Sequence, residues 1–248
     1  MRFGMQRTNA LSIGYALFWM LFPLRMKLDI YGRHIPKELP GSQATLLDVG
    51  CGNGDFLLRA QEMGFKASGC EPDIHAVATC KKKGLDVITG NIDSFASSKA
   101  RFDYITLNHV IEHVEDPRIT IANLYHLLNP SGWLWLALPN PDAIGRIFFN
   151  RGWKGFHPPY HLLIPSQCVL LEWLNEAGFA EIHIVRAGLQ SKGLWRESIA
   201  ISKREGKVSG GALTKAVWYF SNILSCFSAR WGEETIIMAR RPAEKNDN

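Results

Sequence analysis

Cysteine is scarce and shows no pairing pattern. The five present, Cys51, Cys70, Cys80, Cys168 and Cys226, have no C-x-x-C spacing. Their odd number argues against a closed disulfide framework, so a reducing cytoplasm is the simplest compartment. Long basic blocks are missing too: the longest is Lys81-Lys82-Lys83, which closes a predicted helix where cations complement the dipole. With 28 Lys and Arg against 23 Asp and Glu the formal charge is +5, a mild bias toward anionic partners such as a membrane surface or nucleic acid. No apolar run is long enough to span a bilayer. Residues 10–24 would make a helix of roughly 22 Å, short of a ~30 Å hydrocarbon core, and no A-x-A cleavage site follows them. Internal repeats are absent.

What is present is a chain of 248 residues, 46% hydrophobic, enough for one α/β domain with an elaboration. It is organised around residues 44–56, Ala-Thr-Leu-Leu-Asp-Val-Gly-Cys-Gly-Asn-Gly-Asp-Phe. Residues 46–49 read as a buried strand, 50–54 as a turn and 55–63 as a helix. Glycine at 50, 52 and 54 permits positive φ and close approach of backbone to a ligand. A dinucleotide fingerprint would need its third glycine at position 55, which is Asp55. Flanking acids suit a pyrophosphate poorly, whereas Asp48 suits the ammonium of an aminoacyl group. Glu71, about 20 positions beyond the turn and followed by Pro72, is placed to accept hydrogen bonds from the ribose hydroxyls of an adenosine. A solvated strand-end carboxylate is the plain alternative.

Leu46-Leu47-Asp48-Val49-Gly50-Cys51-Gly52-Asn53-Gly54 resembles the first motif of the class I S-adenosylmethionine (SAM) dependent methyltransferases, most closely the ubiquinone-biosynthesis-like branch (methyltransferase type 11/23-like). The resemblance covers residues 44–187. It implies a Rossmann-like α/β sheet of seven strands with the last antiparallel, and SAM as cofactor. Asp48, Gly50, Cys51, Gly52, Glu71 and Pro72 then form the cofactor site. Asn91 stands where similar enzymes carry an acid for the adenine amino group, with Asp93 as the alternative and Ile92 packing on the ring. The backbone from Asn108 through His109 would pass the methionine part.

Further strands are expected at 65–71, 86–89, 102–107, 133–138, 182–185 and 235–239. Helices are expected after Asp73, after Asp116-Pro117 with the buried stripe Ile121, Leu124, Leu127 and Leu128, and over 166–177. Residues 139–165 read as a long acceptor-site loop. Residues 1–40 form an apolar, basic helical segment and 189–234 a helical insertion or cap with one apolar helix at 212–229. Residues 10–28 and 212–230 are each read either as packing on the domain or as a bilayer contact that would place the protein on the inner face of the membrane.

Methyl transfer to a hydroxyl needs a proton acceptor, and histidine is the natural one near neutral pH. His161 is the first candidate; His109 and His113 follow, each with a structural hydrogen bond as the plain reading. His109-Val-Ile-Glu112-His113 also spells a zinc-peptidase pattern, which requires a helix where strand four ends. Similar methyltransferases include some with a Glu-x-x-Glu-His metal site; this chain has His109 for the first Glu, and no metal is expected. The N/D-P-P-Y/F sequence used on base amines is missing after strand four, so nucleic acid is not the expected partner. The reading is a SAM-dependent methyltransferase acting on a small-molecule, glycan or lipid-linked acceptor, with O-methylation expected. A non-catalytic SAM-fold module serving a membrane or a complex is the alternative.

Overall fold

The computed structural model describes residues 43–95, 99–185, 192–204, 206 and 210–244. The segment expected to be helical at 1–40, with its bilayer contact at 10–28, lies outside the described residues. Seven strands form one sheet: β1 (Thr45–Val49), β2 (Lys66–Glu71), β3 (Asp86–Thr89), β4 (Phe102–Asn108), β5 (Leu128–Pro139), β6 (Ala180–Val185) and β7 (Glu234–Arg240), in the order β3-β2-β1-β4-β5-β7-β6. The strands from β3 to β5 pair in parallel, and β7 runs antiparallel between β5 and β6. The chain leaves β1 toward β2 on one side and returns to β4 on the other. Loops after β1 and β4 therefore diverge and open a crevice at the carboxyl ends of the strands, where open α/β sheets bind ligands.

Alternation along β1 divides the core. Leu46 is buried with Leu57, Ala60, Val77 and Cys80 of α1 (Asp55–Glu62) and α2 (Ile74–Lys82). Its neighbour Leu47 belongs to the opposite face, with Ile121 and Leu124 of α3 (Pro117–Leu127) and Leu170 and Leu174 of the later helix Gln167–Glu176. The expected caps form: Asp73 accepts from His75 N at 2.8 Å, and Asp116 accepts from Arg118 N and Ile119 N at 2.9 and 3.0 Å, with Pro117 in the first turn.

Three stretches differ from expectation. Residues 129–132 lie between the expected helix stripe, which ends at Leu128, and the strand expected from 133. Instead α3 stops at Leu127, Leu128 already pairs with Phe102, and the polar turn is absorbed as an irregularity within β5. It is stitched down by Asn129 Nδ2 donating to Asp103 Oδ1 at 2.8 Å, and Ser131 takes a φ of 66°. The acceptor segment is not a bare loop: it contains α4 (Ile144–Phe149) and 3-10 turns at Asn150–Gly152 and Lys154–Phe156, before Ser166 caps α5 (Gln167–Glu176).

Among the described residues the insertion between β6 and β7 holds two helices, α6 (Lys192–Arg204) and α7 (Ala212–Phe227), where one was expected. α6 escapes a periodicity reading because its inward face is Trp195, Ser198 and Ser202. Ser198 Oγ accepts from Lys154 N at 2.9 Å, and Ser202 lies where a Cβ on Gly152 would fall. Small polar residues there let the acceptor segment approach the helix.

Gly69 of β2 shows how tightly the sheet face beneath the glycine turn is filled: an added Cβ would meet Cys51 Sγ at 2.8 Å and Leu57 Cδ1 at 2.9 Å. Gly69→Ala is expected to destabilise the fold by about 1–3 kcal/mol through overpacking. Gly193→Ala, in α6 with nothing within 4 Å of its added Cβ, is expected to be neutral or stabilising. Urea unfolding of both variants against the parent makes the comparison.

Candidate active site

The turn after β1 is built from left-handed glycines, with φ of 71°, 52° and 78° at Gly50, Gly52 and Gly54. Gly50 N and Cys51 N donate to Cys70 O at 2.8 and 3.2 Å, which hooks the turn over β2. At Gly50 a Cβ would collide with Val110 Cγ2, so the turn packs directly on the segment leaving β4. Gly52 faces open space, with no atom within 4 Å of an added Cβ. Its N–H donates to Glu71 Oε2 at 2.9 Å, while Glu71 Oε1 accepts from Asp73 N at 3.0 Å. Each Glu71 oxygen keeps a lone pair for a further donor, as a ribose hydroxyl requires.

Asp48 is buried beneath this turn and accepts from Thr106 Oγ1 at 2.6 Å. Burial pushes its pKa up to about 7; Thr106 works against the rise and the charge of Glu71 adds to it. Two acids beside an open glycine cradle make a site that a cationic ligand would relieve. These acceptors fit SAM, whose ribose hydroxyls would lie toward Glu71 and whose charged end would lie toward Asp48.

The remaining cofactor candidates are placed less uniformly. Pro72 is exposed beyond Glu71, and Asn108 is exposed at the end of β4. Cys51 is buried, and burial holds its thiol far above the usual range, which makes it a packing group. Asn91 is exposed, but its Oδ1 already accepts from Asp93 N at 3.0 Å, a local turn that competes with the expected adenine contact. Ile92 is 2% exposed and joins the main core.

After β4 the chain turns sharply at His109, with φ 57° and its N–H on Ala137 O at 2.8 Å. The imidazole lies between two acids: Nε2 is 2.8 Å from Glu234 Oε1 and Nδ1 3.3 Å from Glu112 Oε1. Burial opposes its charge, but Glu112 and Glu234 outweigh it and lift the pKa to about 10. His109 is thus an imidazolium at neutral pH, which corrects its expected role as a proton acceptor. Ile111–His113 is a single 3-10 turn, so the helix required by the peptidase pattern is not there.

Glu112 is fully buried, and neither carboxylate oxygen makes a hydrogen bond of good geometry. His161 Nε2 lies 3.9 Å from Glu112 Oε1. The acceptor segment brings His161 here by folding back, with Leu162 N donating to Glu112 O at 2.8 Å. His161 Nδ1 is 2.7 Å from Gly155 O and His113 Nδ1 is 2.9 Å from Tyr160 O. A carbonyl only accepts, so both Nδ1 atoms carry the proton and both Nε2 atoms keep a lone pair when the ring is neutral. The two rings meet edge to face at 4.7 Å. Burial lowers the His161 pKa, with the Gly155 carbonyl and Glu112 opposing, so the ring is neutral near pH 7.

Candidate ligand atoms of Glu112, His113 and His161 lie within 4.8 Å of one another. One carboxylate and two imidazoles, each oriented through its other nitrogen, form a donor set that could hold a divalent cation. The sequence expectation of no metal rested on His109 standing for the first Glu of the metal pattern; the third donor here, His161, comes from a segment 48 positions beyond His113.

Glu233 and Glu234, at the start of β7, were missed from sequence; an acidic pair before a final strand is a weak signal. Glu233 is buried and accepts from Gly145 N at 3.0 Å, Trp195 Nε1 at 2.7 Å and Trp153 Nε1 at 3.0 Å. Burial raises its pKa against these donors. The dipeptide thus ties α4, the acceptor segment and α6 to the strand whose next residue holds His109.

Asp48 and His109 carry opposite charges but give the same pH sign. His109 binds its proton more tightly in the folded state, so its contribution is complete below 6.5 and is lost as pH rises through about 10. Asp48 also holds a proton more tightly when folded, so its burial begins to cost stability above 3.8 and costs fully above about 7. Denaturant midpoints measured across pH are expected to fall less steeply in Asp48→Asn over the lower window and in His109→Gln over the upper one. An unchanged slope in either variant would contradict the assigned environment.

Comparison with known proteins agrees with this geometry. A family model described as a methyltransferase domain matches residues 28–184, well over half of the chain. The ubiquinone biosynthesis O-methyltransferase of Xylella fastidiosa is 29% identical over 186 residues, covering 69% of this chain and 74% of the relative. The protein of the same name from Saccharophagus degradans is 26% identical over 171 residues, covering 63% and 72%. Among solved structures, a SAM-dependent methyltransferase from Archaeoglobus fulgidus superposes with a TM-score of 0.58 at 19% identity, covering 91% of this chain and 99% of that one. Phosphoethanolamine N-methyltransferase 2 from Haemonchus contortus, in complex with SAM, gives 0.57 at 17%, covering 95% and 58%. These structures share the fold. With the family matched across β1 to β6 and the glycine cradle and its acids in place, the chain belongs to the methyltransferase domain family and is a SAM-dependent methyltransferase.

Proposed function

We propose that the protein transfers a methyl group from SAM to a hydroxyl of a small-molecule, glycan or lipid-linked acceptor bound between the glycine turn and the acceptor segment at 139–165. The observation that carries this reading is His161: its Nδ1–H is held by Gly155 O, which leaves Nε2, beside Glu112, as the nitrogen that accepts a proton when the ring is neutral. The relatives named for O-methylation support a hydroxyl acceptor. SAM supplies an electrophilic methyl on a sulfonium. The acceptor oxygen forms the new O–CH₃ bond as the S–CH₃ bond breaks, and its proton passes to His161 Nε2 and then to solvent.

Positioning contributes most to such a displacement, about 7–11 kcal/mol, and a base about 3–5 kcal/mol. Here positioning falls to the turn, to Glu71, and to the Glu233 clasp that sets the acceptor segment against β7. Fixed as a cation between Glu112 and Glu234, His109 holds the segment leaving β4 in its sharp turn. The compartment proposed is the cytoplasm. Among the described residues no helix is long and apolar enough to cross a membrane.

Glu112, whose Oε1 has the 3.3 Å contact to His109 and whose oxygens make no well-formed hydrogen bond, favours a second reading of proton removal, in which Glu112, His113 and His161 hold a divalent cation that lowers the pKa of a bound hydroxyl. Under either reading His161 acts on the acceptor side and not on the cofactor.

Glu71→Ala is expected to weaken SAM binding by about 1–3 kcal/mol in calorimetry, through loss of charged hydrogen bonds. His161→Ala is expected to lower turnover by about 10²- to 10⁴-fold while leaving SAM affinity intact. Turnover is read as methyl groups gained by components of a cell extract, by mass spectrometry; full activity in His161→Ala would remove it from the reaction. If the cluster holds a cation, Mn²⁺ or Zn²⁺ should raise the melting temperature of the parent but not of Glu112→Gln. Equal responses would leave His161 as a base without metal.

A further inference from the structure

α7 is packed inside out. Its buried positions are Thr214, Ser221, Asn222 and Ser225, each at most 4% exposed. Three of them bond within the helix: Ser221 Oγ and Asn222 Nδ2 both donate to Trp218 O, at 2.9 and 2.7 Å, and Ser225 Oγ donates to Asn222 O at 2.8 Å. Val217 and Trp218 pack on the cluster formed by Phe149, Trp153 and Trp195, which fixes the helix's rotation. The opposite side carries Leu213, Ala216, Phe220, Ile223 and Phe227 at spacings of three and four residues, with Tyr219 beside them, all exposed. Exposure reaches 71% at Leu213 and 74% at Phe227, at the two ends of the stripe. A helix that buries serines and shows phenylalanines to the outside has its main apolar face directed at something other than its own core.

We infer that this face lies on an anionic lipid bilayer, with α7 in the plane of the interface. Three observations favour that occupant. The helix contains no acid, and its one charge, Lys215, is exposed. Cations stand at both ends: exposed Lys203 lies against Gly210 just before the helix, and exposed Arg230 follows just after it. This is the arrangement that meets lipid headgroups on either side of an inserted apolar stripe. At 16 residues α7 is about 24 Å long, too short to span and suited to lie flat. A second copy of the chain is less well matched, because six side chains on one short helix fall well below the roughly 20–30 residues per side of a stable interface. The inference deepens the lipid-linked option of the proposed reaction and rests on that reading only for its purpose, since the same surface would bring the acceptor segment to the membrane.

The test is flotation of the full chain with vesicles of phosphatidylcholine plus phosphatidylglycerol, against vesicles of phosphatidylcholine alone. The parent is expected to float with the anionic vesicles, less so at high salt, and poorly with the neutral ones. Phe220→Ser/Phe227→Ser is expected to lower bound protein by about tenfold or more while keeping the parent's melting temperature and SAM affinity. The inference is overturned if the parent stays at the bottom of the gradient, or if the double variant floats as the parent does. It is overturned equally if the variant breaks a lipid-free dimer, which assigns the face to a second copy, or if it melts lower without vesicles, which assigns it to the chain's own packing. None of these outcomes touches methyl transfer, which SAM calorimetry and extract labelling read independently.

Discussion

The Glu233 carboxylate is the contact on which the acceptor half of the molecule depends. It takes two indole N–H groups and one backbone N–H from stretches that share no sheet hydrogen bonds, and it does so in a buried setting where an unpaired charge would be costly. Gly145 is part of this arrangement, since any side chain there would occupy the space of the carboxylate itself. Asn140 reinforces it from the end of β5, its Nδ2 donating to Arg230 O and Gly232 O at 2.8 and 2.7 Å. Because β7 lies between β5 and β6, its first residues emerge at the carboxyl end of β5, where the acceptor segment leaves the sheet.

Charge gives the site its second organising rule. Asp48 and Glu71 stand at the glycine turn, while Glu112 and Glu234 flank His109, the counter-charge held between them. An acid-rich cleft with one committed cation disfavours a phosphate-bearing ligand and favours a cationic one, as a sulfonium cofactor with an ammonium tail demands. The ion pair between Lys83 and Asp55 at 2.7 Å removes a further acid from play at the mouth of α1. It is exposed, and its value lies in tying the turn to α2 more than in stability.

Much of the sheet was legible because β2, β4 and β5 end at Glu71, Asn108 and Pro139, β1 runs straight into the glycine turn, and the caps Asp73, Asp116 and Ser166 mark the helices that follow. Where the reading departed, the cause is specific. Asn129 to Gly132 looks like a helix stop and loop, but Asp103 supplies partners that hold it within β5. α6 buries serines against backbone, so its inward face carries too little apolar periodicity to be seen. His109 looks like a free base until Glu112 and Glu234 are placed on either side of it.

Sequence alone determined the glycine turn and the acids beside it. Positive φ at three nearby positions demands glycine, an acid must stand at each strand end, and both requirements are met within 28 contiguous residues from 44 to 71. Only the tertiary structure decided the acceptor half, since Glu112, His113, His161, Glu233 and Glu234 come from three segments up to 122 positions apart. Their meeting depends on β7 entering the sheet between β5 and β6, and on helices whose buried faces are polar. That choice follows from side-chain partners supplied elsewhere in the chain, which no local pattern records.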